Sequence, residues 1–336
     1  MIEILSVMLA SVKDLGRDGY LRYGVGTSGA MDNVALAAGN ILLGNPENSA
    51  SIEVQIFPFS VRFLEDIAFA LSGADTFAEL DGRPIPPWWV VQARKGQVLS
   101  LNPPERGVRS YLALAGGIDV PVVLGSRSTQ LRGSFGGYCG RNLRQGDVLA
   151  AIQSVEQREI LERLPAAGFG VEPPEFALPL GQQESLLTVN RTCVRVLPAA
   201  EYDCYEGASL DSFWNTGWKI STQSNRYGYR LEGEALVARQ IQEQRSHGIV
   251  PGVIQVPPSG QPIIQLRDAQ PSGGYPKIGT VIEADLWRLA QAALCSELRF
   301  VKTDYEEAVS AQDTVNAYLD KVRRLTEFHR RLTRRA

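Results

Sequence analysis

The stretch "SIEVQIFPFSVRFLEDIAFALSG", Ser51 to Gly73, holds three short apolar runs divided by Pro58 and by Glu65–Asp66. In the first, Ile52, Val54 and Ile56 alternate with Glu53 and Gln55; in the second, Phe59, Val61 and Phe63 alternate with Ser60 and Arg62. A period of two places successive side chains on opposite faces, so these runs predict strands. Similar runs recur as "IEILSVM", "WWVVQA", "QVLSLN", "RSYLALAGGI", "TCVRVLP", "WKISTQ", "VIQVPP", "PIIQL" and "LRFVK", separated by Gly, Pro and Asp. Many short strands with such punctuation predict a mainly β fold, a barrel or sandwich, and argue against regular βαβ units. The 32 glycines and 19 prolines agree. Helical spacing is confined to "MDNVALAAGNILLGN", with Asp32 as N-cap and Gly44 as stop, and to the stretches 155–164, 283–294 and 305–334.

Bulk properties narrow the function. A chain of 336 residues predicts one large or two medium domains. The Gly- and Pro-rich 165–185 stretch lacks periodicity, which puts a boundary near 180 and predicts domains 1–180 and 181–336, the second carrying the C-terminal helix. A net charge of −3 gives no footprint for nucleic acid or an anionic membrane. The arginine-rich end, Arg323 to Arg335, reads as a solvated helical face. Glu3 stands where an export signal carries positive charge, and no apolar run approaches the ~20 residues of a membrane helix, so a cytoplasmic location is expected. Four cysteines without a C-x-x-C pair and two histidines predict no metal site.

Chemistry concentrates in glycine-rich loops. Glycines 16, 19, 24, 26 and 29 run into the helix that starts after Asp32. There, free amides and the helix dipole could hold a carboxylate or phosphate, or the glycines only serve positive-φ turns. Stretch 114–147 carries Arg127 and Ser128, stretch 221–233 carries Asn225 and Arg226, and stretch 246–279 carries His247, Gln255, Asp268 and Tyr275. Backbone amides without a Cβ in the way, together with guanidinium forks, suit small anionic or amide-like groups. Neither a Walker A loop nor a dinucleotide fingerprint is present. His247 suits proton transfer or a structural hydrogen bond, and Asp268 either orients a ligand amide or forms an Asx-turn.

The same loops, "VKDLGRDGYLRYGVGTSGAMD", "AAGNILLGNPENSASIE", "RSYLALAGGIDVPVVLGSRST", "GRNLRQGD", "SNRYGYRLEG", "SHGIVPGVIQVPPSGQPI" and "DAQPSGGYPKIGTVIEADLWRLAQ", occur in order from residue 13 to about 292. They resemble the biotin-dependent carboxyltransferase / allophanate hydrolase subunit 2 family, and within it the KipA-type branch of bacterial ATP-dependent 5-oxoprolinases. The resemblance implies two cyclophilin-like β-barrel modules, partnership with the KipI-like B component and the A component of a 5-oxoprolinase, and 5-oxoproline as substrate. It also implies ATP, used by the complex to drive ring opening to L-glutamate. It further implies that His247, Asp268 and Arg226 serve catalysis and that Gly29, Asp32, Arg127, Ser128, Asn225, Gln255 and Tyr275 line a shared pocket.

Departures from the family pattern are Lys13 for a usual Gln, Tyr227 in "NRYG", and Pro271–Ser272. His247 and Asn225 stand where many members carry Glu and Asp, a feature of the oxoprolinase-type branch. No "M-K-M" biotin attachment site occurs, so biotin chemistry would need another chain. Two alternatives stay open: a regulatory protein countering a KipI-like kinase inhibitor, and a urea-type carboxyltransferase.

Overall fold

The computed structural model describes residues 1–153, 164, 165, 167–174, 178, 191–239 and 245–333. The helix expected at 155–164 and most of the expected linker at 165–185 lie outside the described residues. The chain divides into two compact units, neither continuous in sequence: residues 1–17, 32–178 and 316–336 form the first, and 18–31 with 179–315 the second. The sequence places a single boundary near 180. Composition marks linkers, and it is blind to a segment that leaves one unit to pack in the other.

In the first unit, the opening stretch forms β3 (Ser51–Ile56), β4 (Phe59–Phe63) and β5 (Ile67–Gly73). Ile52, Val54, Phe59, Val61 and Phe63 are fully buried, each worth about 1.5–3 kcal/mol in water exclusion. These strands enter two six-stranded sheets. One holds β4 with β1 (Ile2–Ser6), β6 (Glu79–Leu80), β7 (Arg83–Pro84), β9 (Val98–Leu101) and β11 (Val148–Leu149), in the order β11-β1-β4-β9-β6-β7. The other holds β3 and β5 with β2 (Leu9–Lys13), β8 (Trp89–Ala93), β10 (Ser110–Leu114) and β12 (Phe169–Gly170), in the order β12-β8-β5-β10-β3-β2.

Helix α1 (Asn33–Leu43) is buried from Val34 to Leu43, the pattern of a helix inside a core. Asp32 caps it by accepting from the Ala35 amide at 2.8 Å, and Gly44 ends it at φ 66°. Ser72 on β5 donates to the Ala35 carbonyl at 2.7 Å, which ties the helix to the sheet.

In the second unit the strands close into a barrel. They are β13 (Arg191–Pro198), β14 (Trp218–Ile220), β15 (Gly228–Glu232), β17 (Val253–Gln255), β18 (Ile263–Gln265), β20 (Lys277–Val281) and β21 (Glu297–Lys302), in the order β13-β20-β17-β18-β15-β14-β21. A separate hairpin pairs β16 (His247–Gly248) with β19 (Ser272–Gly273). Alternate residues point inward, so Val194, Val196, Ile254, Ile264, Ile278, Leu298 and Phe300 fill the core, joined by Met31 from the 18–31 segment and by Phe213 of helix α2 (Gly207–Asn215). Asp285, fully buried, takes a forked pair from Arg195 at 2.7 and 2.9 Å and fixes the turn before α3 (Leu286–Ala290) on β13.

The last helix, α4 (Tyr305–Thr333), contributes to both units. Residues up to Val315 group with the barrel and those from Asn316 with the first unit, where the Tyr318 hydroxyl donates to the Glu172 carbonyl at 2.8 Å. No helix among the described residues is long and apolar enough to cross a membrane.

Candidate functional site

Of the ten residues singled out in the sequence, Gly29, Asn225, Arg226, His247, Gln255, Asp268 and Tyr275 lie in the second unit, and Asp32, Arg127 and Ser128 in the first. In the second unit, Gly29, Arg226 and Asp268 meet around one ion pair, and His247, Gln255 and Tyr275 belong to a network that includes Lys277.

Arg226 and Asp268 form a buried ion pair, their side chains only 6% and 4% exposed. The guanidinium donates through Nε at 2.9 Å and Nη2 at 3.2 Å, and Nη2 also reaches the Gly29 carbonyl at 2.7 Å. Asn225 is exposed beside it, its Oδ1 accepting from the Tyr227 amide at 2.9 Å in an Asx-turn. The 26–29 segment runs along residues 267–269: the Ser28 amide bonds the Arg267 carbonyl at 2.9 Å, and a Cβ on Gly26 would sit 2.8 Å from the Ala269 carbonyl oxygen. Gly26 therefore permits a close backbone approach, and Arg226 clamps three chain segments together.

A second cluster lies on the outer face of the barrel. Ile264, Ile254 and Ile278 point inward, so their neighbours Gln265, Gln255 and Lys277 point out from the adjacent strands β18, β17 and β20. Gln265 Nε2 donates to Gln255 Oε1 at 3.2 Å, and Gln255 Nε2 to the Tyr275 carbonyl at 3.4 Å. Gln255 and Lys277 are direct cross-strand partners. Above them sits the β16–β19 hairpin, in which His247 pairs with Gly273. A Cβ on Gly273 would lie 2.5 Å from the Gln255 amide nitrogen, so the hairpin packs directly on that side chain, which a larger residue would push aside.

Lys277 Nζ bonds His247 Nε2 and pairs with Glu201 at 3.1 Å, while its backbone amide donates to the other Glu201 oxygen at 3.3 Å. An ammonium only donates, so His247 Nε2 accepts and Nδ1 carries the hydrogen toward the Arg245 carbonyl at 3.0 Å. Near Glu201, the Tyr205 hydroxyl has its pKa raised by burial and by that carboxylate.

In the first unit, Asp32 caps α1, its carboxylate taking the Ala35 amide at the helix start. Its backbone amide donates to the Tyr111 hydroxyl at 2.8 Å, and Tyr111 donates to Glu53 at 2.8 Å. Burial, then the charges of Glu53 and Asp32, push the Tyr111 pKa well up. Ser128 belongs to a hub around Asp14. The Asp14 carboxylate accepts from the Ser126 and Ser128 hydroxyls at 2.7 Å each, from the Gly16 amide at 2.8 Å and from the Arg127 amide at 2.5 Å. Arg127 itself donates to the Val120 carbonyl and stands 3.9 Å from Asp119. These contacts order the 114–147 loop.

A family model described as "Carboxyltransferase domain, subdomain A and B" matches residues 23–302. The chain belongs to this carboxyltransferase-domain family. A member named as the C subunit of 5-oxoprolinase, from Escherichia coli, is 41% identical over 323 residues, covering 96% of this chain and 97% of that one. The protein of the same name from Haemophilus influenzae is 39% identical, covering 97% and 99%. Among solved structures, the Kluyveromyces lactis urea amidolyase superposes with a TM-score of 0.84 at 29% identity, over 96% of this chain and 20% of that one. The mainly β fold with its seven-stranded barrel is thus shared with one segment of a much longer enzyme.

Glu201, Gln265 and Lys277, and in the first unit Tyr111, Glu53 and Asp14, were absent from the sequence-based set. Lys277 carried a signal: a lone cation beginning an alternating run, directly after the "GGYP" turn.

Proposed function

We propose that this chain is the C component of a heteromeric, ATP-dependent 5-oxoprolinase in the cytoplasm, acting with the KipI-like B component and the A component to convert 5-oxo-L-proline to L-glutamate. The observation that carries this reading is the near end-to-end match to proteins named as the C subunit of 5-oxoprolinase. An unactivated lactam is a poor electrophile, and phosphorylation of its oxygen by ATP supplies a leaving group. The protein's share of such chemistry is to hold the ring amide and its carboxylate in place and to face developing charge with fixed donors. The polar outer face of the barrel offers amide and ammonium donors on rigid strands.

Coexpression with the A and B components tests the proposal. Glutamate should form from 5-oxoproline with ATP and not without it, and a complex with no oxoproline-dependent turnover would refute the assignment. The likeness to urea amidolyase favours a second reading, carboxyl transfer with a biotin-bearing partner. That reading requires bicarbonate dependence and an avidin-detectable partner in the same assay.

A further inference from the structure

Lys277 is held unusually well for a side chain no catalytic motif pointed to. Glu201 grips it twice, through the backbone amide at 3.3 Å and through Nζ at 3.1 Å. The Nζ contacts to Glu201 and His247 restrict the rotamer freedom that a lysine normally keeps. Its side chain is only 15% exposed, so the ammonium is largely withdrawn from water. An ammonium has three N–H donors, yet among the described residues only Glu201 and His247 accept from Nζ. A partly desolvated charged donor left over in this way favours an acceptor arriving from outside. Beside it, Gln255 spends both ends of its amide on Gln265 and the Tyr275 carbonyl, which leaves Gln265 Oε1 as an acceptor on the same face. Tyr275, 47% exposed, meets the row through its backbone carbonyl.

We propose that Lys277 is the specificity residue of a ligand site on the outer face of the barrel, its third N–H binding the carboxylate of a small cyclic amide whose N–H is met by Gln265. The assignment rests on the 5-oxoprolinase reading for the identity of the ligand; the site itself follows from the row Gln265, Gln255, Lys277, Glu201 and the hairpin above it. Glu201 keeps the bare site near neutral. Selectivity then comes from hydrogen-bond geometry at one fixed ammonium, and a ligand without a carboxylate loses that bond.

The probes are 5-oxo-L-proline and 2-pyrrolidinone, the same ring without the carboxylate, titrated into the full chain by calorimetry or ligand-observed NMR. The wild type should bind 5-oxoproline at least roughly ten-fold more tightly than 2-pyrrolidinone, the size of one charge-assisted hydrogen bond. K277M and K277Q should each remove that difference and leave 2-pyrrolidinone binding as it was, with thermal unfolding run alongside to confirm a folded chain. Equal binding of 5-oxoproline by wild type and both variants overturns the proposal, and so does a wild type that binds neither probe. In the assay of the assembled three-component enzyme, a K277Q complex with an unchanged KM for 5-oxoproline sinks the Lys277 site and leaves the proposed function standing. An inactive wild-type complex sinks the function and leaves the binding comparison to judge the site.

Discussion

Arg226→Ala puts the buried clamp to the test. With the guanidinium gone, Asp268 stays at 4% exposure without the fork that met it at 2.9 and 3.2 Å, and the Gly29 carbonyl loses a donor at 2.7 Å. Removing one member of a buried ion pair costs about 3–5 kcal/mol, because the remaining buried charge loses its ion-pair partner. At roughly 2–4 °C per kcal/mol for a unit of this size, melting should fall by about 6–20 °C. Asp268→Ala should cost a similar amount. The double change Arg226→Met with Asp268→Leu should recover most of the loss, since apolar replacement of a whole buried pair is often close to neutral. Thermal unfolding of wild type, the two alanine variants and the Arg226→Ala/Asp268→Ala double as a double-mutant cycle measures the coupling, with the Met/Leu protein run beside them. A loss below about 1 kcal/mol for either single variant, or additive losses, would refute the clamp. Turnover falling far more than stability would return Arg226 to ligand contact, which the sequence alone had suggested.

Tyr111→Phe should cost about 1–3 kcal/mol in urea unfolding, because the Asp32 amide and Glu53 lose one buried partner together. In an alkaline absorbance titration of the wild type, the Tyr111 phenol should stay silent well past the ordinary tyrosine range. Its raised folded pKa contributes stability below the unfolded value of about 10, and that contribution is lost as pH rises toward the folded pKa. Asp147 behaves in the opposite sense: the hydrogen bond from Arg141, aided by the Arg144 amide, lowers its pKa. The stability it contributes is present above the ordinary aspartate value of about 4 and is lost as pH falls through the depressed one. The gap between wild type and Asp147→Asn should therefore narrow in denaturant melts taken from about pH 6 down toward about 2.

The strands of Ser51–Gly73 were legible because period-two patterning is local and each apolar run carries its own evidence. Glu53 shows the limit. It alternates with Ile52 and Val54 as a solvent-facing residue would, yet it is fully buried against Tyr111. The strand lies inside the sheet between β2 and β10, and its polar side chain bonds to a residue 58 positions away. The glycine loops were found for a sound reason, since Gly26 and Gly273 do allow close approaches. What each loop approaches was not readable. Asp268 answers Arg226 across 42 positions, and Lys277 meets Glu201 across 76. Such pairs depend on barrel closure, which no window of sequence contains.

The exchange of segments between the two units bears on how the molecule is made. Met31 of the barrel core leaves the ribosome long before the strands that enclose it, and the first unit waits for Tyr318 of the last helix to meet Trp88 edge-on. Neither half can finish during synthesis. A gene cut at codon 180 would yield two fragments, each lacking part of its own interior, and the pieces would have to be reunited to fold.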